Sequence, residues 1–170
     1  MNDYETRFPG NTIHPTAIIA YGVQIGKGNY IGPYCIIGEM PEKVGAFNIY
    51  GKVVIGDNNT FTKQVTIDSG SEAYTIVSNG CILLKNAHVG HDALIHDNVT
   101  LSCNSMVGGH SIIGRYCNLG LGAAIHQRTE LPEGCMVGMN STITKKTPLL
   151  AYRKYAGTPA RDIGPNQPRT

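Results

Sequence analysis

The sequence predicts an all-β solenoid, in which short strands wind into a parallel β-helix. Three observations predict this fold: an aliphatic residue recurs every six positions, a small residue lies four positions after it, and glycine and proline are frequent. Neither the helical period of about 3.6 residues nor simple alternation produces such a repeat. From position 77 the series of large apolar residues has no gap: Val77, Leu83, Val89, Ile95, Leu101, Val107, Ile113, Leu119, Ile125, Leu131, Val137 and Ile143.

The second half of each repeat is a small residue. One large and one small inward residue every six positions predict a short strand followed by a tight corner. Such a unit cannot bury its apolar face alone, so the units must stack. If three units make one coil, residues 18 apart lie above one another. The small positions are Cys81, Ala87, Ala93, Val99, Ser105, Ser111, Cys117, Ala123, Thr129, Cys135, Ser141 and Thr147.

The repeat starts before position 77 and is interrupted twice. Its earlier members are Ile13, Ile19, Ile25, Ile31, Ile37 and, after Lys43 has broken the series once, Ile49, Ile55, Phe61 and Ile67. Residues 38–48 lose the pattern and contain Pro41, and residues 68–76 contain a four-residue slip in phase, so both are predicted to be loops. The sequence therefore predicts a lead-in over residues 1–12 and a β-helix over residues 13–148.

The end of the chain is predicted to form a cap, helical or extended, with a basic tail, over residues 149–170. The whole chain carries a net charge of +2, whereas residues 145–170 carry +5 and the remainder −3. A net charge of +2 does not indicate nucleic acid as a partner. The tail contains Arg169 and five further cations that either hold phosphates or an acidic protein surface, or form an ordinary solvated end: Lys145, Lys146, Arg153, Lys154 and Arg161.

Composition predicts a soluble, cytoplasmic, single-domain protein. The first residues contain no apolar run, and no later stretch approaches the length of a membrane span. The chain has five cysteines, an odd number without paired spacing, which fits a reducing compartment. All but Cys103 fall on the small inward position, where a buried and inert thiol is expected.

Candidate chemistry lies in residues 86–93, Asn-Ala-His-Val-Gly-His-Asp-Ala. His91 follows the inward Val89 by two positions, so it faces outward with Asp92 beside it. An imidazole can act as a general base at neutral pH, and a carboxylate can fix its tautomer and stabilise the imidazolium. The alternative is a surface histidine on a polar face of the solenoid.

Several segments, in the same order along the chain, resemble the hexapeptide-repeat acyltransferases. The segment at 86–93 looks like the catalytic segment of the UDP-N-acetylglucosamine O-acyltransferases of lipid A synthesis, and the similarity extends over roughly residues 13–150. The other matching segments are Ile-His-Pro-Thr-Ala at 13–17, Ile-Gly-Glu at 37–39, Val-Thr-Ile-Asp-Ser-Gly-Ser at 65–71, Gly-His at 109–110 and Ala-Ile-His-Gln at 124–127.

The resemblance implies a left-handed β-helix of triangular section, with about seven coils, and a homotrimer with active sites between subunits. It implies that His91 is the general base and that the amide of Gly109 faces the oxyanion. The acceptor cleft would be lined by His88, His110, His126 and Gln127. Asp68 stands where the family usually carries a histidine, so its contact with the acceptor departs from the pattern.

The same resemblance leaves the acyl donor open between acyl carrier protein and coenzyme A, and expects no tightly bound cofactor. The chain ends before the helical domain of the lipid A enzymes, which helps to bind acyl carrier protein. Residues 156–161, Ala-Gly-Thr-Pro-Ala-Arg, instead resemble the close of coenzyme A-dependent acetyltransferases. Met139 would limit the acyl chain to short or medium length or simply pack between subunits, and the donor would be held by Lys145, Lys146, Arg153 and Arg161.

Two other functions compete with acyl transfer. One is a metal-dependent hydratase like the γ-type carbonic anhydrases, for which His91 and His96 have the spacing of two zinc ligands. Residues 55–80 offer no third histidine, and Asp68 is the nearest substitute. The other is a scaffold that has kept the solenoid without catalysis. The acceptor sugar, and whether its oxygen or nitrogen is acylated, stay open.

Overall fold

The computed structural model describes residues 4–167, which are almost entirely short strands joined by tight corners. One helix, α1 (Tyr4–Arg7), precedes twenty-two strands. The strands are β1 (Thr12–Ile13), β2 (Ile18–Ile19), β3 (Gln24–Ile25), β4 (Tyr30–Ile31), β5 (Ile36–Glu39), β6 (Val53–Ile55), β7 (Thr60–Phe61), β8 (Thr66–Asp68), β9 (Thr75–Val77), β10 (Ile82–Leu83), β11 (His88–Val89), β12 (Leu94–Ile95), β13 (Thr100–Leu101), β14 (Met106–Val107), β15 (Ile112–Ile113), β16 (Asn118–Leu119), β17 (Ala124–Ile125), β18 (Glu130–Leu131), β19 (Met136–Val137), β20 (Thr142–Ile143), β21 (Arg153–Gly157) and β22 (Ala160–Pro165).

Three parallel sheets form the faces of a prism. The first runs β1-β4-β7-β10-β13-β16-β19-β21 and ends in β22, the second runs β2-β5-β8-β11-β14-β17-β20, and the third runs β3-β6-β9-β12-β15-β18. Through the β-helix, each strand therefore pairs with the strand three places later in the chain, so one coil visits all three faces. The fold is a left-handed parallel β-helix, which confirms the predicted fold class.

Strand register shows where the coils depart from 18 residues. Leu83 pairs with Leu101, which pairs with Leu119, in steps of 18. Ile25 instead pairs with Ile55, a step of 30, and Phe61 pairs with Leu83, a step of 22. The early coils therefore contain insertions of twelve and four residues, which form the first loop (residues 40–52, between β5 and β6) and the second loop (residues 69–74, between β8 and β9).

Ile49 is a correction to the repeat assigned from sequence. It lies half-buried in the first loop and belongs to no strand. The insertion of twelve residues is two whole repeats long, so the six-residue period continues in phase across the loop. An aliphatic residue at the expected position was therefore counted as core, although the chain had left the prism.

The interior of the prism is the column of in-phase aliphatic residues. From Val77 to Leu119 each of them is fully buried. From Cys81 to Ser141 the small residues of the corners are buried as well, and the four cysteines predicted to face inward are all buried, whereas Thr147 is half-buried. Burial raises the pKa of the Cys81 thiol to about 11, as expected of an inert thiol.

Both ends of the prism are covered. At the N-terminal end, Arg7 donates a hydrogen bond to the carbonyl of Ile19 (3.0 Å) and stacks on Phe8 (4.7 Å from guanidinium carbon to ring centre). At the C-terminal end, β21 extends the first face and β22 folds back on it antiparallel. The predicted cap is thus extended, a hairpin. No helix within residues 4–167 is both long enough and apolar enough to cross a bilayer.

Candidate active site

One edge of the prism, between the second and third faces, brings together most of the residues that the sequence predicts to be functional. We call it the site corner, and it comprises residues 90–93, 108–111, 126–129 and 144–147. Backbone hydrogen bonds stack its layers, from the amide of His110 to the carbonyl of His91 (2.9 Å) and from the amide of Arg128 to the carbonyl of Gly109 (2.9 Å). His91, Gly109, Gln127 and Lys145, each 18 residues apart, therefore occupy successive layers.

His91 and Asp92 form a hydrogen-bonded pair in this corner. Nδ1 of His91 lies 2.7 Å from Oδ2 of Asp92, and the two side chains are 12% and 1% exposed. The corner forces the pair together because Asp92 takes a left-handed conformation (φ 60°), which aspartate tolerates better than most residues. Since a carboxylate only accepts, Nδ1 carries a hydrogen, and in the neutral ring Nε2 has the free lone pair.

The Asp92 carboxylate is also held by the second loop, which lies one coil below it. Its Oδ1 accepts hydrogen bonds from the amides of Glu72 (2.9 Å) and Ala73 (2.7 Å), and its Oδ2 accepts one from Oγ of Ser71 (2.7 Å). The amide of Asp92 itself donates to Oγ1 of Thr75 (2.8 Å). Sequence reasoning did not single out these loop residues. The available signal was the phase slip, which places an insertion one coil before the histidine pair.

These contacts decide the charge of Asp92. Burial alone would raise its pKa, but the hydrogen bonds from His91, from Ser71 and from two backbone amides outweigh burial and hold the pKa well below its ordinary value. Asp92 is therefore ionised at neutral pH. An ionised partner both fixes the tautomer of His91 and stabilises its protonated form.

Gly109 lies against the imidazole of His91. A Cβ added to Gly109 would stand 2.7 Å from Nε2 and 2.8 Å from Cε1 of that ring, so only glycine leaves room for it. Within residues 4–167 the Gly109 amide donates no hydrogen bond, although its carbonyl accepts one from Arg128. The N–H is thus available to an oxygen placed beside His91.

His110 completes the cluster around the pair. Its ring centre is 5.0 Å from that of His91, edge to face at 87°, and its Nε2 lies 3.5 Å from Oδ2 of Asp92. Ligand atoms of His91, Asp92 and His110 lie within 4.8 Å of one another, close enough to be considered for a metal ion. The geometry is poor for that role, because the Asp92 oxygens already accept four hydrogen bonds.

His96, the second zinc ligand of the hydratase interpretation, does not join this cluster. It follows β12, at the opposite edge of the third face, where it lines a separate cavity with Arg115 and Glu130. The spacing of five residues between His91 and His96 thus spans a whole face of the prism.

His88 and Asp68 lie on the second face, next to the site corner. Nδ1 of His88 is 2.8 Å from Oγ1 of Thr66, and its Nε2 is 3.9 Å from Oδ2 of Asp68. Burial raises the pKa of the Asp68 carboxyl, while His88 and the amide of Glu42 act in the opposite direction. Asp68 therefore takes up a proton more readily than an exposed aspartate.

A cavity of about 670 Å³ opens at the C-terminal end of the site corner. It is lined by His126, Lys145, Lys146 and Arg161, together with Thr158 and Pro159 of the hairpin. The structure therefore brings together three of the four predicted donor-binding cations.

The remaining residues predicted to bind the donor lie elsewhere. Arg153 begins β21 on the first face, where its Nε lies 2.7 Å from Oδ2 of Asp162. Met139 lies at the edge between the first and second faces and is 68% exposed. Arg169, counted in the charge of the tail, falls outside the described residues.

Comparison with known proteins gives a consistent set of relatives. No family model matches the chain. An acyl-(acyl-carrier-protein)-UDP-N-acetylglucosamine O-acyltransferase of Sinorhizobium fredii is 33% identical over 138 residues, which are 79% of this chain and 50% of the relative. The enzyme of the same name from Helicobacter pylori is 31% identical over 127 residues, 73% of this chain and 47% of the relative.

A solved structure extends the likeness to the fold. The UDP-N-acetylglucosamine acyltransferase of Bacteroides fragilis superimposes with a TM-score of 0.87 and 29% identity, over 92% of this chain and 62% of that one. The chain spans about half the length of the curated relatives it matches.

Proposed function

Because the chain belongs to the hexapeptide-repeat acyltransferases and is most like the UDP-N-acetylglucosamine O-acyltransferases, we propose that it transfers an acyl group from a thioester to a nucleotide-linked amino sugar. The acceptor is a hydroxyl or amine of a sugar such as UDP-N-acetylglucosamine. One observation carries the proposal: a half-buried histidine, held by an ionised carboxylate, presents Nε2 beside a glycine amide that donates no hydrogen bond within residues 4–167.

In the proposed reaction, Nε2 of His91 removes the proton of the acceptor hydroxyl or amine as that atom attacks the thioester carbonyl carbon. The carbonyl oxygen gains negative charge, which the Gly109 amide stabilises; one such donor is worth about 3 kcal/mol in other enzymes. The carbon–sulfur bond then breaks, and the protonated His91 returns the proton to the thiolate. Asp92 stays ionised throughout and holds Nδ1–H.

The acceptor lies, in this proposal, along the second face and the site corner. His88 and Asp68 reach the sugar from β11 and β8, and His110, His126 and Gln127 reach it from the higher layers. Asp68 stands where the family usually carries a histidine, and this difference affects which acceptor is selected. A buried carboxyl with a raised pKa can donate a hydrogen bond at the place where the histidine would offer a ring nitrogen.

The donor is acyl carrier protein or a coenzyme A thioester, with no tightly bound cofactor. The second possibility, a coenzyme A-dependent sugar N- or O-acetyltransferase outside lipid A synthesis, is favoured by the cavity at the C-terminal end. Lys145, Lys146 and Arg161 line it together, and clustered cations suit phosphate groups. Met139 lies at a different edge of the prism from the cavity. It would therefore contact the acyl chain only in a site to which a neighbouring subunit contributes.

We place the enzyme in the cytoplasm as a homotrimer with its active sites between subunits. The trimer is carried over from the resemblance to the family. On the second face, Ile18 and Met106 are 51% and 50% exposed but lie four strands apart, so they form no continuous apolar patch. In such a trimer, the edge between the first and second faces of one prism, where Met139 lies, would approach the site corner of the next prism.

The test is a substrate panel followed by product mass. The purified protein is offered acetyl-coenzyme A and acyl carrier proteins with several chain lengths, each with UDP-N-acetylglucosamine and with UDP-amino sugars. We expect one acceptor to gain one acyl group. Absence of acylated product from the whole panel, with the fold verified by circular dichroism, would overturn the proposal.

A further inference from the structure

The contacts of Asp92 continue into the two inserted loops. Ser71 of the second loop, which donates to Oδ2 of Asp92, is itself 3.0 Å from Nζ of Lys43 in the first loop. Nζ of Lys43 also lies 2.9 Å from Oε1 of Glu72. A continuous chain of hydrogen bonds therefore runs from Lys43 through Ser71 and Asp92 to His91.

The direction of each hydrogen bond in this chain follows from chemistry. An ammonium group only donates, so Oγ of Ser71 accepts from Lys43. A serine hydroxyl has a single hydrogen, which is then directed to Oδ2 of Asp92. An ionised carboxylate only accepts, so Nδ1 of His91 must donate to it. The cation at one end thus orients the Ser71 hydroxyl, which helps to hold the carboxylate that accepts from Nδ1 of His91.

We propose that Lys43 and Ser71 are positioning residues that hold the Asp92 carboxylate in place and so set the orientation of the His91 ring. The insertions of twelve and four residues are, on this basis, parts of the catalytic apparatus. The proposal builds on the proposed function of His91, but it makes a claim about the ring of His91 that holds without any substrate.

Other charged groups face the same imidazole and enter any measurement of its protonation. His110 lies edge to face with it, Asp68 interacts with it electrostatically, and Glu72 pairs with Lys43. Lys27 provides a matched control, since it is exposed and follows β3, at the edge of the third face away from the site corner. Lys27→Met makes the same change of side chain as Lys43→Met.

The experiment compares Ser71→Ala, Lys43→Met, Ser71→Thr and Lys27→Met with the unaltered chain. We expect the first two to lower kcat about 10-fold with little change in KM, as is typical when the support of a functional histidine is removed. Ser71→Thr keeps the hydroxyl and should recover most of the rate, and Lys27→Met should stay within about twofold. For Lys43→Met the acid limb of kcat/KM should move to higher pH, because loss of a cation makes protonation of the imidazole easier.

Nitrogen-15 NMR of the histidine rings supplies a readout that needs no substrate. The unaltered chain should show His91 as the tautomer protonated at Nδ1, and Ser71→Ala should shift and broaden its ring signals, because the carboxylate that holds the ring has lost one donor. Unchanged ring signals of His91 in Ser71→Ala together with an unchanged kcat overturn this proposal. If no substrate in the panel is turned over, the proposed function fails, while the ring spectra still decide the role of Ser71 and Lys43.

Discussion

At the scale of single residues, the chemistry is concentrated in the contact between His91 and Gly109. The base and the amide lie in adjacent layers of one corner, so their separation is set by the stacking of the coils rather than by flexible side chains. A site built on such rigid layers places its donor and its base without reorganisation.

His91→Ala should lower acyl transfer by about 100-fold to 10,000-fold, the usual contribution of a general base. The half-buried ring is not part of the prism interior, so the variant should keep the fold. Product formation is measured by mass, beside circular dichroism. His14→Ala serves as the control, because His14 lies in the first coil, where its Nδ1 contacts Thr16. Retention of most of the activity in His91→Ala would contradict the assigned role.

Gly109→Ala tests the close approach of the ring. The backbone N–H remains, but the new Cβ would stand 2.7 Å from Nε2 of His91, so the imidazole must move. We expect kcat to fall at least about 10-fold, because small displacements of reacting groups have large effects on rate. Gly138→Ala is the matched control, since its nearest contact would be 3.3 Å. Equal activities of the two variants would argue against the assigned geometry.

The lowered pKa of Asp92 predicts that the free energy of unfolding depends on pH. Its pKa is below the ordinary value of 3.8, so the ionised form stabilises the fold. This contribution is complete above that ordinary value and is lost as the pH falls through the lower, folded value. The free energy of unfolding should therefore differ most between the unaltered chain and Asp92→Asn near neutral pH. The difference should shrink in urea titrations below about pH 4; a constant difference would contradict the assignment.

Among the single residues, the pair His91 and Asp92 was predictable because its members are adjacent in the chain and follow an inward residue by a fixed offset. Lys43 and Ser71 were not predictable in the same way. They reach Asp92 from loops whose conformation is not specified by the repeat, so their hydrogen bonds to Asp92 and to each other are evident only in the folded structure.

At the scale of elements, the strands were predictable and the exact extent of the first loop was not. Each coil contacts only its neighbours at a constant offset, so a six-residue period is enough to specify the stacking. An insertion of twelve residues is two whole periods long, so it leaves the phase of the pattern unchanged, and Ile49 was therefore predicted to be in the core. An insertion of four residues changes the phase, so the pattern in the sequence reveals it.

Alanine substitutions measure this difference between loop and prism. Ile95→Ala removes a fully buried side chain and should lower the free energy of unfolding by about 2–5 kcal/mol. Ile49→Ala, in the half-buried loop, should cost less than about 1 kcal/mol. Urea unfolding of both variants checks the assignment. Comparable losses would mean that Ile49 packs into the core after all.

At the scale of the whole molecule, the proposed trimer follows from the family, and Met106, half-exposed on the second face, is a position that can test it. Light scattering coupled to size exclusion should give three times the mass of one chain. Met106→Lys should reduce the apparent mass, because a charge on a buried interface lacks a partner. Tyr21→Lys, at an exposed position in an early corner, should leave the mass unchanged. A fully active monomer would contradict the arrangement.

The stacked layers of the site corner also fix the distance between residues along the axis of the prism. His91 and Lys145 are separated by three coil heights, roughly 14 Å at about 4.8 Å per layer. That length depends on the number of coils and on no single side chain. Duplicating or removing one 18-residue coil between them would change the distance from His91 to the cavity by one coil height, about 4.8 Å, and no smaller change is available. A solenoid with more or fewer coils would therefore suit a longer or shorter acyl donor, while the interior of the prism stayed the same.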